Sequence, residues 1–186
     1  MKIVKEDFDS EKFAEFAQSE ARKFLPEGMS ELDKNFILDI FKDFAQRSAN
    51  VLSQDMSLNL NSYDKIVARA KHILEWIFKT SVALVEANLP IECRHGFMLD
   101  IGYVAFDVSK DVNAVDEISD EQINATVEYH VMNQIKKMLA ELQLSGIITD
   151  KMREDFLNHP YMDKSQKNLE KSIILTDSVN NINAVN

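Results

Sequence analysis

The sequence predicts an all-α fold, a single-domain bundle of five to six helices around a central, mostly buried helix at residues 97–108. Three observations carry that expectation. Long segments repeat apolar residues at three- and four-residue steps, the spacing that gathers side chains on one face of a helix. Glycine (4) and proline (3) are scarce in 186 residues, whereas sandwiches and doubly wound sheets need many tight turns. The stretch Phe97 to Val108 is apolar almost all the way round a helical projection, as suits a segment with neighbours on every side.

The first helix is expected from Ser10, whose hydroxyl can cap free amides, to about Leu25, before Pro26 and Gly28. Phe13, Phe16, Ala17, Ala21 and Phe24 share its apolar face. Ser30-Glu31-Leu32-Asp33 resembles a capping box with Asp in the acidic place and opens a second helix to about Leu52, with the stripe Phe36, Ile37, Ile40, Phe41, Phe44 and Val51. Gln54 to Asn61 reads as a polar link. Asn61 or Ser62 can cap a third helix that runs to about Asn88 and stops at Leu89-Pro90. Tyr63, Ile66, Val67, Ala70, Ile73, Leu74, Ile77, Phe78 and Leu84 fall within one arc of it; Trp76, His72 and Glu75 fall off that arc. Trp76 is expected to pack at an edge or to anchor a partner.

The segment from Ile91 through Val108 comes next. Phe97, Met98, Ile101, Val104, Ala105 and Val108 form one helical face, Leu99, Tyr103 and Phe106 a second, and Asp100 and Asp107 share the sliver between them. Its β-branched and aromatic content also suits a buried strand, and Gly102 weakens a helix by about 1 kcal/mol relative to Ala. Helix is preferred because a lone strand would lack a partner. After an acidic link at Asp111 to Ser119, Ser119-Asp120-Glu121-Gln122 is a capping box for a helix to about Gln143, with Ile123, Val127, Val131, Ile135, Met138, Leu139 and Leu142 in register. Gly146 is the expected left-handed terminator, and Thr149 caps a short helix ending near Asn158.

Leu142-Gln143-Leu144-Ser145-Gly146-Ile147-Ile148-Thr149-Asp150, with Phe156 and Leu157 downstream, is similar to the helical hairpin of the short C-terminal modules called SHOCT. The resemblance covers this stretch alone and implies a helix, a Schellman turn and a helix. Shared turn chemistry accounts for it. The bundle is expected over residues 1–160, and residues 161–186 are expected to form a tail, a weak helix through Leu169 to Leu175 followed by an Asn-rich frayed end.

Composition narrows the function. A formal net charge of −10 repels phosphate backbones and anionic bilayers, so neither nucleic acid nor membrane is expected as a partner, while a basic protein remains compatible. The adjacent pair Lys136-Lys137 sits in an acidic region, unlike the basic face of a DNA-reading helix. No apolar run reaches the roughly 18 residues that span a bilayer. The single cysteine, Cys93, cannot form an internal disulfide and the first residues lack a signal-peptide core, which points to the cytoplasm.

Candidate chemistry is fragmentary. Glu92-Cys93-Arg94-His95 has the Glu-x-x-His spacing that di-metal bundles use, because residues three apart on a helix can point at one ion. Glu128 and His130 are the other candidate ligands, though one residue too close for that motif. Glu128 projects into an apolar arc, where an ionised carboxylate needs a partner and Arg94 is a candidate for that role, but a wider helix face with Glu128 at its wet edge is preferred. The calcium-loop-like run from Asp107 fails at Val112 and Ile118, where glycine and glutamate belong. Cys93 beside Arg94 and His95 invites a lowered thiol pKa but has neither an orienting base nor an oxyanion hole in the pattern, so a buried inert cysteine is preferred. The leading expectation is a non-catalytic, acidic helical protein-interaction module, an adaptor, chaperone-like or inhibitory small protein, with no cofactor. The alternative is a helical-bundle metal-dependent enzyme using Glu92, His95, Glu128 and His130.

Overall fold

The computed structural model describes residues 9–54, 63–113 and 119–163. Among them the chain forms six helices and no strand: α1 (Ser10–Arg22), α2 (Glu31–Gln54), α3 (Tyr63–Glu86), α4 (Ile91–Asn113), α5 (Asp120–Leu144) and α6 (Asp150–Leu157). The architecture is the all-α bundle that the periodicity predicts, and residues 97–108 are helical. The link after Gln54, the capping residues Asn61 and Ser62, most of the acidic link before Ser119, the side chains of Tyr63, Ile66 and Val67, and the tail from residue 164 lie outside the described residues.

Successive helices run antiparallel and pack on their neighbours in sequence. The Gln18 amide donates to the Leu38 carbonyl at 3.1 Å and Lys42 pairs with Glu15 at 3.5 Å, so α1 descends as α2 rises. On α1, Ala14, Ala17 and Ala21 are buried with Phe13, and their small side chains let the two backbones come close. Phe41 meets Phe78 edge-on at 6.2 Å between α2 and α3. α6 folds back over the bundle, where Phe156, fully buried, packs on Phe97 of α4 at 5.9 Å. Each such ring contributes roughly 1.5–3 kcal/mol by leaving water.

Helix ends follow local chemistry, with two corrections. Asp9, not Ser10, caps α1, because its carboxylate accepts from the amides of Glu11 and Lys12 at 3.1 Å, and the helix closes at Arg22, short of Leu25. At α2 the Ser30 hydroxyl accepts from the Asp33 amide at 3.2 Å, but the Asp33 carboxylate takes the Ser30 hydroxyl at 2.7 Å instead of reaching the Ser30 backbone, so the box is not reciprocal. At α5 the box is complete: Ser119 accepts from the Gln122 amide and Gln122 accepts from the Ser119 amide. Gly146, at φ 72°, closes the helix with the paired bonds of a Schellman turn, Ile147 to Leu142 at 2.9 Å and Gly146 to Gln143 at 3.0 Å. α3 ends the same way with Asn88 at φ 56° in the glycine position, Leu89 bonding to Leu84 and Asn88 to Val85. Thr149 caps α6 through the Met152 amide, as expected.

α4 lies between α3 and α5, with Phe97, Met98, Ile101 and Ala105 buried and Leu99, Val104, Phe106 and Val108 half-buried. Tyr103, assigned to its second apolar face, is exposed alongside Asp100 and Asp107. The helix enclosed most fully is the second half of α3, which touches α2, α4, α5 and α6. Its burial extends beyond the expected arc: Trp76 keeps 6% of its surface and His72 is buried, so neither lies at an edge. Lys79 lies over the Trp76 ring, 5.6 Å from its centroid, and pairs with Glu75 at 2.6 Å. On α2, Val51 is exposed and so leaves the apolar stripe. Beyond α6, Tyr161 packs by Phe78 and Met162 is buried, so the packed chain reaches at least that residue.

Candidate interaction surface

One ion pair and one shared groove set which helix ends lie together. Arg94, in the first turns of α4, reaches Asp33 in the first turn of α2 at 2.7 Å. Cys93 near the start of α4 and Ser145 after α5 line one groove. The start of α2, the start of α4 and the end of α5 therefore share one end of the bundle. That end carries Leu32, Ile91, Leu144 and Ile147, exposed by 69%, 63%, 89% and 49%. Isolated exposed leucines are ordinary, but several at one end of a small domain form the kind of patch that marks contact sites.

The groove runs between α4 and α5 with a volume of about 430 Å³. Phe97, Cys93, Met138 and Leu142 supply its apolar lining; Asp100, Lys137 and Glu141 stand on it as charges. Periodicity explains the arrangement. Met138 and Leu142 sit at the margin of the α5 stripe, where they are half-buried and turned toward the groove. Burial pushes the Cys93 thiol above its ordinary 9.0 despite Arg94 alongside, and its Sγ donates to the Pro90 carbonyl at 3.1 Å. The cysteine is half-buried, not buried as the sequence favours.

Charge is distributed unevenly. On α1 to α3 the carboxylates are largely neutralised within the chain, Glu20 by Lys23 at 2.5 Å, Glu31 by Lys34 at 3.0 Å, Asp43 by Arg47 at 2.9 Å and Glu75 by Lys79. On α4 and α5, Glu92, Asp100, Asp107 and Glu141 have no ionic partner among the described residues, and Asp100 and Glu141 line the groove. Arg94 cannot serve them. Its guanidinium is buried and held by Asp33 and, through Nε, by the Leu89 carbonyl at 2.7 Å. Its partner is thus Asp33, not Glu128: the short α3–α4 turn points Arg94 along the end of the bundle toward α2, away from α5.

Of the candidate metal ligands, Glu92, His95 and His130 are exposed and Glu128 is half-buried. Glu92 and His95 lie in the first turns of α4, Glu128 and His130 in the first half of α5, which in an antiparallel pair are at different levels. Among the described residues no three His, Cys, Asp or Glu side chains come together in a set that could hold a metal ion. His130 lies edge-on to the neighbouring Tyr129 ring at 5.3 Å. Outside these candidates, His159 Nε2 meets the Glu86 carboxylate at 2.5 Å while its Nδ1 accepts from the Tyr161 amide at 3.1 Å, pinning the chain after α6 to the end of α3. Sequence reasoning missed the patch at Leu144 and Ile147, although two large apolar residues bracketing a glycine turn were a visible sign.

Among the described residues no helix is long and apolar enough to cross a membrane. No family of known proteins, no curated protein and no solved structure matches the chain.

Proposed function

We propose that the protein is a non-catalytic interaction module that binds a basic protein partner in the cytoplasm. The observation that carries this reading is the adjacency of exposed Ile91, Leu144 and Ile147 to carboxylates that the chain leaves without ionic partners. An apolar centre with charged surroundings is how protein interfaces divide affinity from orientation. The overall charge of −10 speeds encounter with a basic partner and disfavours nucleic acid. Affinity capture with the full chain, read by mass spectrometry, should enrich basic proteins, and the enrichment should fall with added salt. Stoichiometric iron, manganese or zinc in protein purified without chelators would overturn this reading in favour of a metal-dependent enzyme.

A further inference from the structure

We infer that the chain's own residues 164–175 dock on the end of the bundle where Leu32, Ile91, Leu144 and Ile147 are exposed, and that a protein partner must displace them to bind there. The displacement rests on the interaction reading; the contact itself does not. Topology selects the segment. α1 begins, α2 ends, α3 begins, α4 ends and α5 begins at the opposite end of the bundle, so the chain before Asp9 and the α2–α3 and α4–α5 connections all attach there. Each of α2 to α5 runs 23 to 25 residues, which puts that end about 35 Å away. The chain beyond α6 leaves from the exposed apolar end instead. His159 is pinned to Glu86, the last residue of α3, and the Met162 and Asp163 amides both donate to the His159 carbonyl, at 2.8 and 2.9 Å. Asp163 therefore sits within one turn of that anchor, and Ile91 lies five positions along the chain from Glu86.

Composition and reach fit the segment to the surface. Leu169, Ile173, Ile174 and Leu175 supply four large apolar side chains, and Lys164, Lys167 and Lys171 outnumber the single Glu170 in a chain whose net charge is −10. The stretch from Asp163 to Leu169 extends up to about 20 Å. Neighbouring helices lie roughly 8–10 Å apart, so the apolar run can cross the end of the bundle. A second copy is the weaker occupant. Four exposed residues fall well short of the roughly 20–30 per side that a stable interface uses, and two chains of charge −10 repel each other. A tethered segment needs no such area, because a short linker holds it near the surface at an effective concentration on the order of millimolar.

The test uses the full chain with the photo-cross-linker p-benzoylphenylalanine in place of Leu144, which is 89% exposed, and maps the products by mass spectrometry. The expected product is a monomer cross-linked from position 144 to residues 164–175. Ile173→Glu combined with Ile174→Glu should lower its yield about tenfold, the scale of losing one central apolar contact, with the amide protection of α2 to α5 unchanged. In the same double variant without the cross-linker, amide resonances of residues 31–34, 91–94 and 142–148 should shift while those of residues 119–127 at the opposite end stay in place. Cross-linked dimers, products that never include residues 164–175, or a yield that the double variant leaves unchanged would overturn the inference. Affinity capture of basic proteins should rise about tenfold in the double variant if the segment competes with a partner, and equal enrichment by both proteins would overturn the displacement. If the cross-link forms while neither protein captures basic partners, the interaction reading falls and the contact stands. If capture succeeds and no such cross-link forms, the contact falls and the interaction reading stands.

Discussion

The Phe44 ring of α2 occupies the space that a side chain at Gly102 of α4 would need, since a Cβ built there would lie 2.0–2.7 Å from ring atoms. The ring is itself buried and packs edge-on to Tyr103 at 6.1 Å, so it has no easy retreat. Gly102→Ala should therefore destabilise the protein by about 1–3 kcal/mol, the cost of overpacking, although alanine is the better helix former. Gly96, on the same helix, has nothing within 4 Å of a built Cβ, and Gly96→Ala should stabilise by about 0.5–1 kcal/mol. Urea midpoints of the two variants are expected to move in opposite directions. A matched stabilisation at both positions would show that the ring yields.

Asp33 links stability to pH. Burial opposes its ionisation, but the Ser30 hydroxyl and then the Arg94 guanidinium outweigh it and hold the carboxyl below its ordinary 3.8. A depressed folded-state value means that the unfolded chain takes up the proton first as pH falls. The contribution is thus complete above the ordinary value and is lost as pH drops through the folded one. Asp33→Asn should cost about 1–3 kcal/mol near neutrality, the worth of hydrogen bonds to a charged group. The gap between wild type and variant should narrow below about pH 4, as read from denaturant midpoints across an acid series.

Two turns depend on a left-handed residue. Asn88 and Gly146 hold φ 56° and 72° in equivalent Schellman positions. Asn88→Gly should be neutral or stabilising, while Asn88→Ala and Gly146→Ala should each cost about 1–2 kcal/mol, the penalty an ordinary side chain meets there. Thermal unfolding of the three variants decides this, and a stabilising Asn88→Ala would remove the argument.

Cys93 should resist alkylation. With its thiol raised by burial above 9.0, iodoacetamide should react more slowly than with free cysteine at neutral pH, and the rate should climb only in alkaline solution. Fast labelling at neutral pH would mean that the α4–α5 groove opens far more than its packing suggests.

α6 is held to the bundle chiefly through one ring. Phe156→Ala removes a fully buried side chain against Phe97 and should cost about 3–5 kcal/mol. Hydrogen exchange should then show α6 amides losing protection before those of α3.

What the sequence made legible is what local chemistry decides. The Ser119 box, the Gly146 turn and the Thr149 cap each involve residues within a few positions of one another, so spacing suffices to find them. Legibility ends where two distant segments must be matched. Trp76 and His72 lie off the obvious arc of α3, and their burial follows from neighbours on several sides, which a helical wheel cannot count. Arg94 stands out as a candidate for an ion pair, but choosing Asp33 over Glu128 requires the direction of the turn at Pro90. Gly102 looked like a weakness in α4 because its role belongs to Phe44, 58 positions away in the chain. The groove had no signature at all: it is the gap left where two stripes stop short of covering each other.

The succession of antiparallel neighbours also sets how fast the molecule can assemble. Because each of α1 to α4 finds its principal surface on a helix adjacent in the chain, little loop-closure entropy stands between one contact and the next among α1 to α5. Hairpins such as α3–α4, joined by only a tight turn, can form before the rest and grow outward in either direction. Refolding from denaturant is accordingly expected within microseconds to milliseconds, the range of helical domains dominated by short-range contacts.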